Sequence, residues 1–92
     1  MTMRNIERPE PFRQDFKREY RGRHCAVFER GGEFEIVVLH LEPKYRDHQL
    51  NGEWEGSREC HIRPDLLLVY TYEGRDWLIL ERLGSHAELF GM

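Results

Sequence analysis

The stretch Arg58-Glu59-Cys60-His61-Ile62-Arg63-Pro64-Asp65-Leu66-Leu67-Leu68-Val69-Tyr70-Thr71-Tyr72-Glu73-Gly74-Arg75-Asp76-Trp77-Leu78-Ile79-Leu80-Glu81-Arg82-Leu83 decides the fold. Arg63-Pro64-Asp65 and Glu73-Gly74-Arg75-Asp76 have the composition of tight turns, so three strands are expected: Arg58 to Ile62, Leu66 to Tyr72 and Trp77 to Leu83. Two consecutive hairpins make an antiparallel meander, and the run from Leu66 to Tyr70 is apolar enough to be its central strand. Gly84 and Ser85 then lead into a short helix, His86 to Phe90, with Ser85 as N-cap.

Working outward, Met3 to Glu7 reads as a first short strand closed by Pro9 and Pro11. From Pro11 or Phe12 to Gly22 the aromatics Phe12, Phe16 and Tyr20 recur every four residues, which places them on one helix face turned to the core. Arg13, Lys17, Arg18 and Arg21 fall on the other faces and are expected to be solvated or to meet an anionic partner. Ala26 to Leu41 is interrupted by Gly31-Gly32 and fits a helix ending before Pro43 or a buried strand. Pro43 to Gly56 reads as a long surface loop, a place where small domains carry function. The expectation is one α+β domain over residues 1 to 92, with N-terminal helices packed on one face of an antiparallel sheet and a short C-terminal helix.

Composition narrows the function classes. Ninety-two residues with 39% hydrophobic and 34% charged side chains suffice for a single core. No apolar run approaches a membrane span, and Met1 to Glu10 lacks the core of a signal peptide, so a cytoplasmic protein is expected. Cys25 and Cys60 are expected to be reduced thiols. The net charge of −3 excludes bulk electrostatic attraction to nucleic acid, yet Met1 to His24 holds seven Lys or Arg against four Asp or Glu.

Chemistry is sought among the five histidines. His48 lies in the long loop, His61 at the end of a strand and His86 just after the last strand; Asp65 follows in the turn after His61, and Arg82 approaches His86. Strand ends and loops at one side of a meander can bring these five side chains together. A zinc site drawn from His24-Cys25 and Cys60-His61 is disfavoured, because adjacent strand residues point to opposite faces. Neither a Gly-x-Ser-x-Gly elbow nor a phosphate loop is present, and Cys60 is expected to be a small core residue.

The runs Tyr45 to Trp54, Arg58 to Tyr70 and Arg82 to Phe90 resemble, in content and order, the YafQ-type branch of the RelE/ParE toxin superfamily, the mRNA interferases of type II toxin-antitoxin systems. The resemblance covers nearly all of Tyr45 to Gly91. It implies a microbial RNase fold, cleavage of mRNA on the ribosome without a metal or other cofactor, and neutralisation by a cognate antitoxin protein. Carried over position by position, the catalytic set falls on His48, His61, Asp65 and His86, with Arg82 and Phe90 as supporting, substrate-binding positions; Trp54 is a further candidate to stack on an exposed base. On this reading His48 or His61 is the base, His86 the acid, Arg82 bridges the phosphate, and Asp65 holds a histidine in its useful tautomer. The competing reading is a ParE-like or inactive module on the same scaffold that acts by docking to a partner.

Overall fold

The computed structural model describes residues 5–22, 24–29, 32, 34, 48–50, 56–74 and 76–91, and for His48 the backbone alone. In chain order these form β1 (Asn5–Glu7), α1 (Glu10–Tyr20), a 3-10 turn (Cys25–Phe28), β2 (His48–Gln49), β3 (Arg58–Arg63), β4 (Leu66–Glu73), β5 (Trp77–Gly84) and α2 (His86–Phe90). The strands make one sheet in the order β1-β5-β4-β3-β2. β2 through β5 are antiparallel neighbours as the turns require, whereas β1 joins the far edge of β5 in parallel, with Ile6 beside Leu78. A sheet expected to be antiparallel is therefore mixed at one edge.

Alternation along β3 and β4 divides the sheet into two unlike faces. Cys60, Ile62, Leu66, Leu68 and Tyr70 pack with Leu78, Leu80 and Leu83 beneath Phe12 of α1. Phe28 and Phe34 close over Phe16, their rings 5.1 and 5.6 Å from its own. Each aromatic so buried contributes about 1.5–3 kcal/mol. The expected stripe on α1 is only partly internal: Phe12 is fully buried, but Tyr20 is 50% exposed and stacks on Phe16 at 6.0 Å. At the last position of α1 its ring meets Phe16 and solvent and is not part of the core.

The opposite face carries Leu67 and Val69, covered by Leu89 of α2 with Leu50 and Phe90 alongside. α2 begins with a full capping box, Ser85 accepting from the Glu88 N–H at 3.1 Å and Glu88 accepting from the Ser85 N–H at 2.9 Å. It ends at Gly91, whose φ of 73° is the left-handed conformation that glycine adopts without strain.

Two positions depart from regular pairing. Val69 pairs with Arg82 and Tyr70 with Leu80, which leaves Glu81 as an extra residue in β5. β5 also runs past the end of β1, and there α1 substitutes for a strand: the Leu83 N–H donates to Asp15 at 3.0 Å and the Leu83 carbonyl accepts from Arg18 at 2.9 Å. Satisfying both groups blunts an edge that would otherwise be open to pairing.

Part of Pro43 to Gly56 is sheet and not loop, since His48 and Gln49 pair with Glu59 and Arg58. Most of Ala26 to Leu41 and the rest of the loop lie outside the described residues; within them, Ala26 to Phe28 belong to the 3-10 turn. No described helix is long and apolar enough to cross a membrane.

Candidate active site

β3 presents Glu59 and His61 on the Leu67/Val69 face because they stand two residues apart on one strand. Glu59 is 2% exposed. Its Oε1 lies 3.0 Å from His61 Nε2 and 3.6 Å from His86 Nε2, so one buried carboxylate oxygen faces two imidazoles. The imidazole rings are 5.7 Å apart, and Phe90 lies 5.9 Å beyond His86, one helical turn along α2. A carboxylate this deeply buried needs such partners, because an unpaired charge there would cost several kcal/mol. His86 stays partly open to solvent, with its side chain 44% exposed.

Two of the sequence-based candidates meet here, His61 and His86, with Phe90 beside them. The third histidine is placed by its backbone: His48 stands opposite Glu59 in the β2–β3 register. Trp54 lies outside the described residues.

Asp65 is placed differently from expectation. Its Oδ1 pairs with His24 Nε2 at 3.1 Å, tying the β3–β4 turn to the segment after α1. The carboxylate at His61 is Glu59. The signal for it was present, since Glu59 and His61 stand two residues apart on one strand face, whereas Asp65 lies in the turn that follows.

Arg82 is likewise committed to a protein partner. Its Nε donates to Asp15 Oδ2 at 2.6 Å and its Nη2 to Oδ1 at 3.2 Å, and this hydrogen bonding raises the guanidinium pKa further. Asp15 is 3% exposed and also takes Arg18 Nη1 at 3.1 Å. Arg18 is solvated, its side chain 43% exposed, and at the same time bridges Asp15, the Leu83 carbonyl, Glu19 at 3.3 Å and Glu88 at 2.9 Å. Gly84 permits this approach, because a Cβ there would lie 2.8 Å from Arg18 Nη2. Among the described residues, the second terminal nitrogen of Arg82, Nη1, takes no part in the fork.

Neither cysteine is in a disulfide; Cys25 is exposed and Cys60 is buried on the α1 face, opposite to His61, so Cys60 and His61 do not point to one side. Among the described residues, Glu59, His61 and His86 form the one grouping of potential metal ligands, their ligand atoms within 4.8 Å of one another.

A mixed sheet with α1 on one face and a polar His-Glu-His cluster on the other defines a RelE-like toxin fold. Residues 4–91 match the family model described as bacterial toxin of type II toxin-antitoxin system, YafQ, and the chain belongs to that family. The mRNA interferase toxin YafQ of Escherichia coli K12 is 45% identical over 54 residues, which is 59% of this chain and 58% of the relative. The matched segment thus spans little more than half the length of that curated relative. A copper-bound mutant toxin from Helicobacter pylori superposes with a TM-score of 0.79 at 38% identity, over 96% of this chain and all of that one. YafQ in the E. coli DinJ-YafQ toxin-antitoxin complex gives a TM-score of 0.74 at 29% identity, over 97% of this chain and 99% of that one.

Proposed function

We propose that this protein is an mRNA interferase, an endoribonuclease that cleaves mRNA on the ribosome and so blocks translation. The observation that supports it most is the pair of imidazoles sharing one buried carboxylate on an open sheet face. RNA cleavage without a metal needs one group to take the 2′-hydroxyl proton and another to protonate the departing 5′-oxygen. Histidine, with an ordinary pKa of roughly 6.5, populates both required forms near neutrality.

His61 is the base. Its Nε2 faces Glu59 at 3.0 Å, a carboxylate that orients the ring and stabilises the imidazolium formed when the base takes its proton. The freed 2′-oxygen attacks the adjacent phosphorus and the bond to the 5′-oxygen breaks, giving a 2′,3′-cyclic phosphate. His86 supplies the proton that makes the leaving oxygen a 5′-hydroxyl. His48 opposite Glu59 is the second candidate for the base, and Asp65 acts at a distance by fixing the β3–β4 turn through His24.

Arg82 reaches the phosphorane oxygens through Nη1 while Asp15 holds the rest of the guanidinium in place. Phe90 offers an aromatic face to a base, a contact worth about 1–3 kcal/mol, and Trp54 is proposed to do the same.

The net charge of −3 gives little affinity for free RNA, so the ribosome positions the substrate. The complex of YafQ with DinJ supports a cognate antitoxin as the natural inhibitor. The acid-base route requires no metal. An ion bound at Glu59, His61 and His86 would draw the carboxylate away from the imidazoles it faces and hold both rings in the neutral form, which stops the acid.

The test is primer extension on a reporter mRNA with the wild-type protein and His86→Ala, with and without ribosomes. Cuts that need both ribosomes and His86 support this reading; a folded protein that makes none in any lane returns the docking module.

A further inference from the structure

Glu81 has no part in the acid-base account. As the extra residue of the β5 bulge it is not opposed by a partner on β4, and it turns away from the Asp15 network that holds Arg82. Its Oε2 accepts from Ser57 Oγ at 2.6 Å, and Ser57 Oγ lies 3.2 Å from Thr71 Oγ1. A carboxylate only accepts, so Ser57 must donate to Glu81 and Thr71 to Ser57. The trio crosses three strands with its protons pointing one way and ends on a carboxylate. Among the described residues Ser57 is the polar contact of that carboxylate, through Oε2, and Oε1 takes no part in it.

The trio is also in the right place. Thr71 shares the Leu67/Val69 face by strand alternation, and Ser57 stands two residues before Glu59, roughly 7 Å along the strand. Ser57 is 8% exposed, and Leu50, whose N–H donates to the Ser57 carbonyl at 2.9 Å, packs on Leu67 and Val69 beside it. The His-Glu-His cluster and the Ser-Thr-Glu trio thus lie side by side along one apolar floor.

A carboxylate repels phosphate, so its ligand in an RNA groove is a group that donates hydrogen. The exocyclic amino groups of adenine, guanine and cytosine do so; uracil presents two carbonyl oxygens flanking its one N–H. We propose that Ser57, Thr71 and Glu81 form a base-reading subsite that favours an amino-bearing base over uracil in a nucleotide beside the scissile phosphate. This rests on the ribonuclease reading above.

The experiment maps cut sites by primer extension on reporter mRNAs that carry each of the four bases in turn at every codon position. It compares wild type, Glu81→Ala and Glu81→Gln, with thermal melting to confirm that each variant folds. Wild type is expected to discriminate against uracil at one position by about tenfold, within the range of a single good base contact. Glu81→Ala should reduce that ratio to about twofold. Glu81→Gln keeps an acceptor for Ser57, so it folds where alanine fails, and its amide should admit uracil. An unchanged base preference in either folded variant, at whatever overall rate, overturns the subsite and leaves the trio a cross-strand brace. A wild-type protein that cuts no RNA overturns the ribonuclease reading, and the subsite with it.

Discussion

Glu59 and His61, two residues apart on β3, meet at 3.0 Å with the carboxylate almost completely buried. The same oxygen lies 3.6 Å from His86, so one carboxylate faces both imidazoles, closely at His61 and more loosely at His86. Replacing Glu59 by Gln keeps the volume but presents an amide that can donate where only acceptance is useful. Cleavage by Glu59→Gln should fall by at least about tenfold, with little change in melting temperature. Single-turnover rates on programmed ribosomes check this; wild-type rates would make Glu59 a packing residue only.

Asp15 is the second buried carboxylate, and its role is structural. It gathers Arg82, Arg18 and the Leu83 N–H on the free edge of β5. Asp15→Ala would leave the Arg82 guanidinium and the Leu83 N–H without their partner, a loss of about 3–5 kcal/mol. In a domain of this size that is a fall in Tm of more than about 10 °C. Asp15→Asn, which can still accept from Leu83, should lose less. Thermal melts followed by circular dichroism decide it.

Acid should expose a further coupling between α1 and α2. Arg18 lies between Glu19 and Glu88. Burial, then the hydrogen bond and charge of Glu88, push the Glu19 carboxyl above its usual value of 4.5. Burial acts in the same sense on Glu88, but the Ser85 N–H, Glu19 and Arg18 outweigh it and hold that carboxyl below the usual value. The signs are therefore opposite. The contribution of Glu19 is complete below 4.5 and lost as pH rises through its higher folded value; that of Glu88 is present above 4.5 and lost as pH falls through its lower one. Glu19→Gln fixes the neutral form, so it should raise Tm at pH 7 by about one or two degrees and give no advantage below pH 4. Melts across that range test it.

Metal should hinder and not help. Chelator should leave ribosome-dependent cleavage unchanged, and added Cu²⁺ should inhibit it by occupying the His61 and His86 nitrogens. Loss of cleavage in chelator, restored by a divalent ion, would replace the acid-base account with a metal-assisted one.

The meander was legible because Pro64-Asp65 and Gly74 punctuate strongly apolar runs, and α2 because Ser85 and Glu88 stand at capping-box spacing. What the sequence could not show was set by distance along the chain. Asp15 and Arg82 are far apart in sequence, and no local pattern announces that α1 will serve as the neighbour of β5. The bulge at Glu81 is equally silent, since Leu78-Ile79-Leu80-Glu81-Arg82-Leu83 reads as unbroken strand. Glu59 is legible only through strand alternation with His61, a pattern that a turn carboxylate such as Asp65 does not share. Tyr20 keeps the period of the aromatic stripe but, at the end of α1, is half exposed.

The assignment of His86 as the acid is tested most directly by changing the leaving group. A reporter mRNA with sulfur in place of the 5′-bridging oxygen at the cut site needs no proton on departure, because a thiolate leaves readily. His86→Ala should cleave oxygen-bridged mRNA slower than wild type by about 10² to 10⁴ and recover close to the wild-type rate on the sulfur-bridged substrate, while His61→Ala should remain slow on both. Equal losses for His86→Ala on both substrates would contradict the account.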